Sequence, residues 1–596
     1  MLPILAFVSC QEMESLTENE WQEPTVKGVH MTVPEIPFDG GVAQTKSAMT
    51  VNETTGLSFV WSDGDATGVY TTTDGFARFG LATGGGMADA TFDGGGFSLT
   101  DGSTYYAFYP YAELSTDKTA IPLVYSGQSV SADNDMTSPM TKDYLWASAV
   151  SDAGNAKFSF AHIGSFLRMK ISLPEGTAID KVELVPMYEE VPQTLMFDIT
   201  SQTPTVSTAS PVMTISATDV TVPESGKATV WAAMPPQDFS ADSFAVQVTS
   251  GTDVFSARAA GKAFIPGKAY RWEIAPVDVT GDPGYGFATV AETGLSNVTA
   301  SVEAGEYSGI TYMGGTQYAV VHDKLNGGGI VFYYITINDD GTVGAVSKSV
   351  PTGTSESAVT GRDNEGIAFV PGSPGPGTLF VSAEADQSIR EYDLEGVPTG
   401  RALTIPTDMA VGKISSNKGF EALTYNATTE LFWTTTESEL TKDAATPGLL
   451  RLQSFGTDLK VSGRYLYQMD APTKSAGEAS TYVFGTPALA ALDDGRIIVL
   501  EREVFVASGS TMQKAMNSIT QIKLYVVNPG SDSSGILRKT LLTSFTTKPL
   551  SANFANYEGM CIGPTLSDGS KTLVLIPDSQ GGSGGLTQEY VKVITF

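Results

Sequence analysis

Residues 416–439 read SNKGFEALTYNATTELFWTTTESE. The stretch divides into two strand-like runs around a polar turn. Glu421 to Tyr425 opens on a carboxylate just after Gly419 and Phe420, and Glu430 to Thr436 passes through Leu431, Phe432 and Trp433 to deliver Glu437 at its end.

The unit recurs. Upstream, Asp363-Asn364-Glu365-Gly366-Ile367-Ala368-Phe369 is followed by a Pro/Gly turn and a second run, Thr378 to Glu384. Downstream, Tyr557 to Ile562 carries Glu558 and is followed by Lys571 to Asp578. Two weaker copies lack the first acid: Ser308 to Tyr312 with Tyr318 to Asp323, and Pro487 to Leu492 with Arg496 to Glu501. Setting Ile310, Ile367, Leu423, Leu489 and Met560 as equivalent gives steps of 57, 56, 66 and 71 residues. Short strands repeated at a roughly regular period, with little helical pattern between them, predict a β-propeller. Five blades are favoured, with room for a sixth, diverged one within 440–490. Ring closure is expected from the terminal strand Tyr590 to Phe596 against Phe287 to Val290. Equivalent strand ends of a propeller converge on one channel, so carboxylates far apart in the chain should meet there.

The C-terminal series DNEGIAF, LFVSAE, NKGFEALTY, WTTTESE and YEGM resembles the phytase-like family, described as having esterase-like activity of phytase, over residues 285–596. That resemblance implies a propeller enzyme acting on phosphate or carboxylate esters. Earlier in the chain, four stretches stand out: Phe59 to Asp65, the aromatic run Tyr105 to Tyr111, Phe158 to His162 and Leu167 to Ile171. With Gly267 to Trp272 as a closing strand, they resemble the fimbrillin-like domains of Bacteroides-type surface lipoproteins over residues 28–277. The physical expectation there is a tandem β-sandwich with an internal boundary near Asp143 to Gly154. Val277 to Gly284, rich in Gly and Pro, then marks a linker. The chain is expected to be all-β throughout.

At 596 residues the chain needs at least two domains. Its formal charge of −31 makes nucleic acid a poor partner, because such binding draws on clustered Lys and Arg. Of the two cysteines, Cys561 sits in an apolar run and is expected to be a buried thiol. Cys10 ends the apolar run Met1 to Ser9 and precedes an acidic, unpatterned stretch. This arrangement resembles the tail of a bacterial lipoprotein signal, with residues 1–27 as signal remnant and tether. It implies an exported protein, lipid-anchored through Cys10 to the outer membrane and exposed at the cell surface.

Glu365, Glu421 and Glu558 share one repeat position, and Glu384, Glu437, Glu501 and Asp578 lie near a second. Carboxylates crowded in one channel raise one another's pKa or require a counter-ion. With three histidines far apart, zinc is disfavoured, and a hard cation such as Ca²⁺ fits the oxygen donors. The expected assignments are Glu421 as general base with Lys418 and Glu437 in the catalytic set, and Glu365, Glu384, Glu558 and Asp578 as metal ligands. Arg502, Glu501 and Arg362 are assigned to substrate. The substrate expected is a small ester or phosphoester; the alternative is a non-catalytic adhesion lipoprotein binding a glycan or protein. Three other motifs point elsewhere. Gly581 to Gly585 matches G-x-S-x-G but lacks the strand-to-helix turn of a nucleophile elbow. His162 and the His322-Asp323 pair are expected to be structural.

Overall fold

The structure, a computed structural model, describes residues 29–38, 50–52, 56–71, 75–111, 117–323, 329–350, 362–372, 375–551, 553–580 and 587–596. Cys10 and the Gly581 to Gly585 run lie outside them. The chain is all-β, with only short helices between strands. The described residues divide into two compact units, those up to 121 with 144–163 and 197–203 in one and the remainder in the other. The chain therefore crosses between units several times, where a single boundary near 143–154 was expected.

The first unit is built on one eight-stranded sheet that runs, edge to edge, from Ala156–Ser159 through Val29–Thr32, Asp89–Asp93, Gly75–Thr83, Ala66–Thr71, Thr104–Tyr109 and Leu145–Val150 to Ala161–His162. Its core gathers the aromatic stretches singled out in the sequence. The buried Trp61 ring meets Phe92, Tyr109 and Phe160 edge-on at 4.9, 5.3 and 5.8 Å, and its indole N–H donates to the Met31 carbonyl. His162 is buried beside Phe59 with a ring nitrogen 3.1 Å from the Pro34 carbonyl, a structural histidine. In the run Tyr105 to Tyr111, Ala107 and Phe108 are buried and the tyrosines half-buried.

The second unit begins with a six-stranded sheet, which includes Ala178–Pro186 and Ser243–Ser250, and a three-stranded sheet on Ser165–Ser172. After Val277–Asp278 the chain enters five four-stranded antiparallel sheets. Sheet I starts with Tyr307–Gly314, II with Asn364–Val370, III with Phe420–Asn426, IV with Ala479–Ala491 and V with Asn556–Ile562. Ile310, Ile367, Leu423, Leu489 and Met560 each fall on the first strand of a different sheet. Residues 440–490 hold the outer strands of III and the start of IV, and no sixth sheet among the described residues. Sheet V takes its outermost strand, Ala291–Asn297, from the start of the half, paired antiparallel to Tyr590–Thr595. That partner lies a few residues later than Phe287 to Val290. Phe287 instead stacks on Phe596 at 4.4 Å.

Successive sheets pack face to face through separate apolar clusters. Ala319, Val321 and Leu379 join I to II; Ala368, Phe380 and Leu423 join II to III; Trp433, Leu452 and Val499 join III to IV. Leu500, Leu524 and Leu573 join IV to V, and Val574, Val591 and Val320 join V back to I. Cys561 lies buried in that last cluster. Each first strand also carries a register break at the same place: Tyr307/Ile310, Asn364/Ile367, Phe420/Ala422, Gly485/Ala488 and Tyr557/Gly559. A bulge turns a side chain out of the regular alternation. The residues it turns here include Glu365, Glu421 and Glu558.

Candidate functional site: a buried acidic centre

Two sets of equivalent positions build the site. Two residues before each aligned apolar residue stand Ser308, Glu365, Glu421, Pro487 and Glu558. Three residues beyond its cross-strand partner stand Asp323, Glu384, Glu437, Arg502 and Asp578. The sheets bring most of these together. One carboxylate oxygen from each of Glu365, Glu384 and Glu421, all buried, lies within 4.8 Å of the other two, and the same holds for Asp323, Asp363 and Glu365. Ser308 Oγ donates to Glu365 at 2.6 Å, and the Gly419 N–H donates to Glu384.

Arg502 ties the other side together. Its guanidinium donates to Glu437 at 2.7 Å, to Glu558, and to Asn556 at 3.2 Å, while Lys418 also donates to Glu437. Burial would drive the Arg502 guanidinium toward neutrality, but Glu558 and Glu437 more than offset it and hold the charge firmly in place. Sheet IV has no first-strand acid, and Gly485 makes room instead: a Cβ there would sit 2.4 Å from Glu437 Cγ.

Burial, and then the charge of neighbouring carboxylates, pushes Glu365 and Glu421 well above the usual carboxylate range. Asp578 is pushed up to about 8 by burial and Glu558, although the Gln580 N–H donates to it at 2.7 Å. At neutral pH such groups hold protons unless a cation replaces them. The donors are carboxylate oxygens without imidazole or thiolate, a set that fits a hard cation such as Ca²⁺.

Two expected members stand apart. Glu501 is one residue from Arg502, so strand alternation sends it to the opposite face, where it accepts from Tyr467 at 2.6 Å, Lys539 at 2.7 Å and the Asp470 N–H at 3.1 Å. Arg362 is buried within sheet II, donating at 2.6 Å to both Tyr392 and Ser388, with Asp386 at 3.4 Å. Neither joins the acidic centre. Three residues that the repeats alone did not single out do join it: Ser308, Asp323 and Asp363. Their signal was position: Ser308 at the bulge and Asp323 at the strand end of the weak first copy, and Asp363 just before the first strand of the second. His322, beside Asp323, packs at a tilt against Tyr307 at 4.2 Å and is pulled down to about 4 by burial and Lys348, which leaves it neutral and structural.

Fold and site thus define an all-β protein whose C-terminal sheets enclose an acidic centre. Residues 302–580 match the family model described as Phytase-like, esterase-like activity of phytase, and residues 47–300 match the fimbrillin-like model. No curated protein matches the chain. Among solved structures, a candidate cell adhesion protein from Bacteroides ovatus is 17% identical, covering 43% of this chain and 96% of its own, at a TM-score of 0.30. A member of the DUF4221 family from Bacteroides vulgatus is 7% identical over 52% of this chain and 97% of its own, at 0.29. A fimbrial protein from Bacteroides vulgatus is 13% identical over 42% and 98%, at 0.23.

Proposed function

We propose that the five C-terminal sheets are the blades of a β-propeller and that their acidic centre hydrolyses esters, phosphoesters included, with a bound divalent cation. The observation that carries this is the meeting of Glu365, Glu384 and Glu421, buried and within 4.8 Å of one another. Packing like charges in a dry site costs roughly several kcal/mol per ion unless protons or a cation neutralise them, so the arrangement suits a cation that replaces those protons. The cation would be held by Glu365, Glu384 and Glu558 with Asp578 beside them. When bound it would polarise the ester oxygen and offset charge developing there. Glu421, relieved of its proton under those conditions, takes one from the attacking water; Lys418 holds Glu437 in place, and Arg502 faces the oxyanion.

The test is a divalent-cation series with chromogenic acyl and phosphate esters. Turnover should require the cation and fall by about 10²–10⁴-fold in Glu421→Gln, with the thermal midpoint retained. Undiminished turnover in that variant, or none with any divalent cation, would remove the proposal. The second reading, an adhesion protein binding a glycan or protein without turnover, is favoured by the fimbrillin-like match over residues 47–300, a half we read as a tandem β-sandwich. In both readings the protein sits at the cell surface, tethered by lipid on Cys10. Among the described residues no helix is long and apolar enough to cross a membrane. Palmitate incorporation that survives Cys10→Ala would exclude the tether.

A further inference from the structure

A second cavity lies within chain reach of the acidic centre. In the second unit, a cavity of about 1070 Å³ opens between the turn at Tyr188, residues 238–243 and loops of sheets II and III. Its foundation is built rather than incidental. Arg451 and Arg464, both fully buried, donate to backbone carbonyls of the turn, Arg451 to Pro186 at 2.9 Å and Arg464 to Met187 at 2.8 Å. Arg451 is held by Asp443 at 2.7 Å, and Asp408 takes Arg464 at 2.6 Å and Lys442 at 2.8 Å. On the other side, Asp242 accepts the N–H groups of Met187, Tyr188 and Glu189 at 3.1, 3.2 and 3.0 Å.

The lining selects a ligand class. Acids outnumber bases, with Glu189, Glu190, Asp238, Asp242 and Asp408 against Arg258, Lys413 and Lys442, which disfavours an anion. What remains is a large cleft of mixed polar and apolar lining, with the Glu189, Glu190 and Asp238 carboxylates and one half-buried aromatic ring, Tyr188, backed by the Arg464 guanidinium at 4.2 Å. Paired acceptors beside an aromatic face suit the hydroxyls and the apolar ring face of a neutral sugar.

Chain reach connects this cleft to the acidic centre. Lys413 lines the cleft, and five residues later Lys418 donates to Glu437. Thr441, also in the lining, follows Glu437 by four residues. An extended chain spans at most about 3.6 Å per residue, which puts the two sites within about 18 Å along one loop and about 14 Å along the other.

Resting on the hydrolase reading above, we propose that the cleft holds a neutral oligosaccharide and that the substrate is an ester carried on it. Water adds to the acyl or phosphoryl centre, the bond to the sugar oxygen breaks, and that oxygen leaves as the alcohol with a proton.

Calorimetric titration of the full chain in chelator, with tetrasaccharides of glucose, xylose, mannose and N-acetylglucosamine, reads the cleft without turnover. At least one should bind. Tyr188→Ala and the milder Asp238→Ala, at an exposed position, should each weaken it by about tenfold or more, whereas Glu421→Gln should leave it unchanged. No binding by any of the four, binding indifferent to both cleft variants, or capture of tetralysine instead would overturn the cleft proposal. Ester turnover intact alongside absent sugar binding would sink the cleft alone. Sugar binding with no ester turnover would keep the cleft and sink the hydrolase.

Discussion

Arg502 shows how much a single position decides. Glu501 and Arg502 are neighbours in sequence, yet one faces Tyr467 and Lys539 while the other bridges Glu437 and Glu558. Replacing Arg502 with Met leaves the buried Glu437 and the partly buried Glu558 without their common partner, a loss of about 3–5 kcal/mol by analogy with broken buried ion pairs. The expected outcome is a lower unfolding midpoint in chelator, partly restored by millimolar Ca²⁺ because a cation can take over the neutralising role. A midpoint unmoved by the substitution would mean that Glu437 and Glu558 do not depend on Arg502 as their common partner.

At the scale of the element, the bulge in each first strand positions the acids, and in sheets I, II and V a glycine beside it lets the sheets close up. A Cβ on Gly366 would sit 2.7 Å from the Glu421 carbonyl, and one on Gly559 or Gly309 would sit 2.5 Å from the carbonyl of Ser308 or Glu365. These are backbone atoms in neighbouring sheets and cannot swing aside. Gly366→Ala should therefore cost about 1–3 kcal/mol. It should also weaken Ca²⁺ binding, since the strain falls on Glu365, the neighbouring ligand. Chemical denaturation and calcium titration of the same variant check both effects. Unchanged stability would show that sheets II and III can separate by half an ångström without penalty.

For the C-terminal half as a whole, closure between sheets V and I carries a titrating group. Glu589 is buried and accepts from Ser579 Oγ and from the Gly305 N–H at 2.9 Å, and burial pushes its pKa up to about 7. The folded state therefore binds this proton more tightly than the unfolded chain does. The resulting stability is fully present below pH 4.5 and is lost as pH rises toward 7, an effect on the order of 1–3 kcal/mol. Glu589→Gln should remove that part of the pH dependence, so the parent should lose stability relative to the variant between pH 4.5 and 8. Parallel denaturation curves in chelator across that range test it; a constant difference between the two proteins would rule out Glu589 as the titrating group.

The repeat spacing, the alternation of apolar and polar residues and the acids at matching places in three copies were legible in the chain itself. These are local patterns: Ile310, Ile367, Leu423, Leu489 and Met560 mark strands because each is flanked by residues that prefer the pleat. The same patterns pointed to Glu365, Glu384, Glu421, Glu437, Glu558, Asp578 and Arg502. They could not separate Glu501 from Arg502, because which face a residue takes depends on a register that only pairing across strands sets. Nor could they include Ser308, Asp323 and Asp363 or exclude Arg362, because a residue's membership of the centre depends on how neighbouring sheets pack. The acidity of the centre was written in the residues; the dry proximity that gives those groups their raised proton affinity exists only when the sheets close around them.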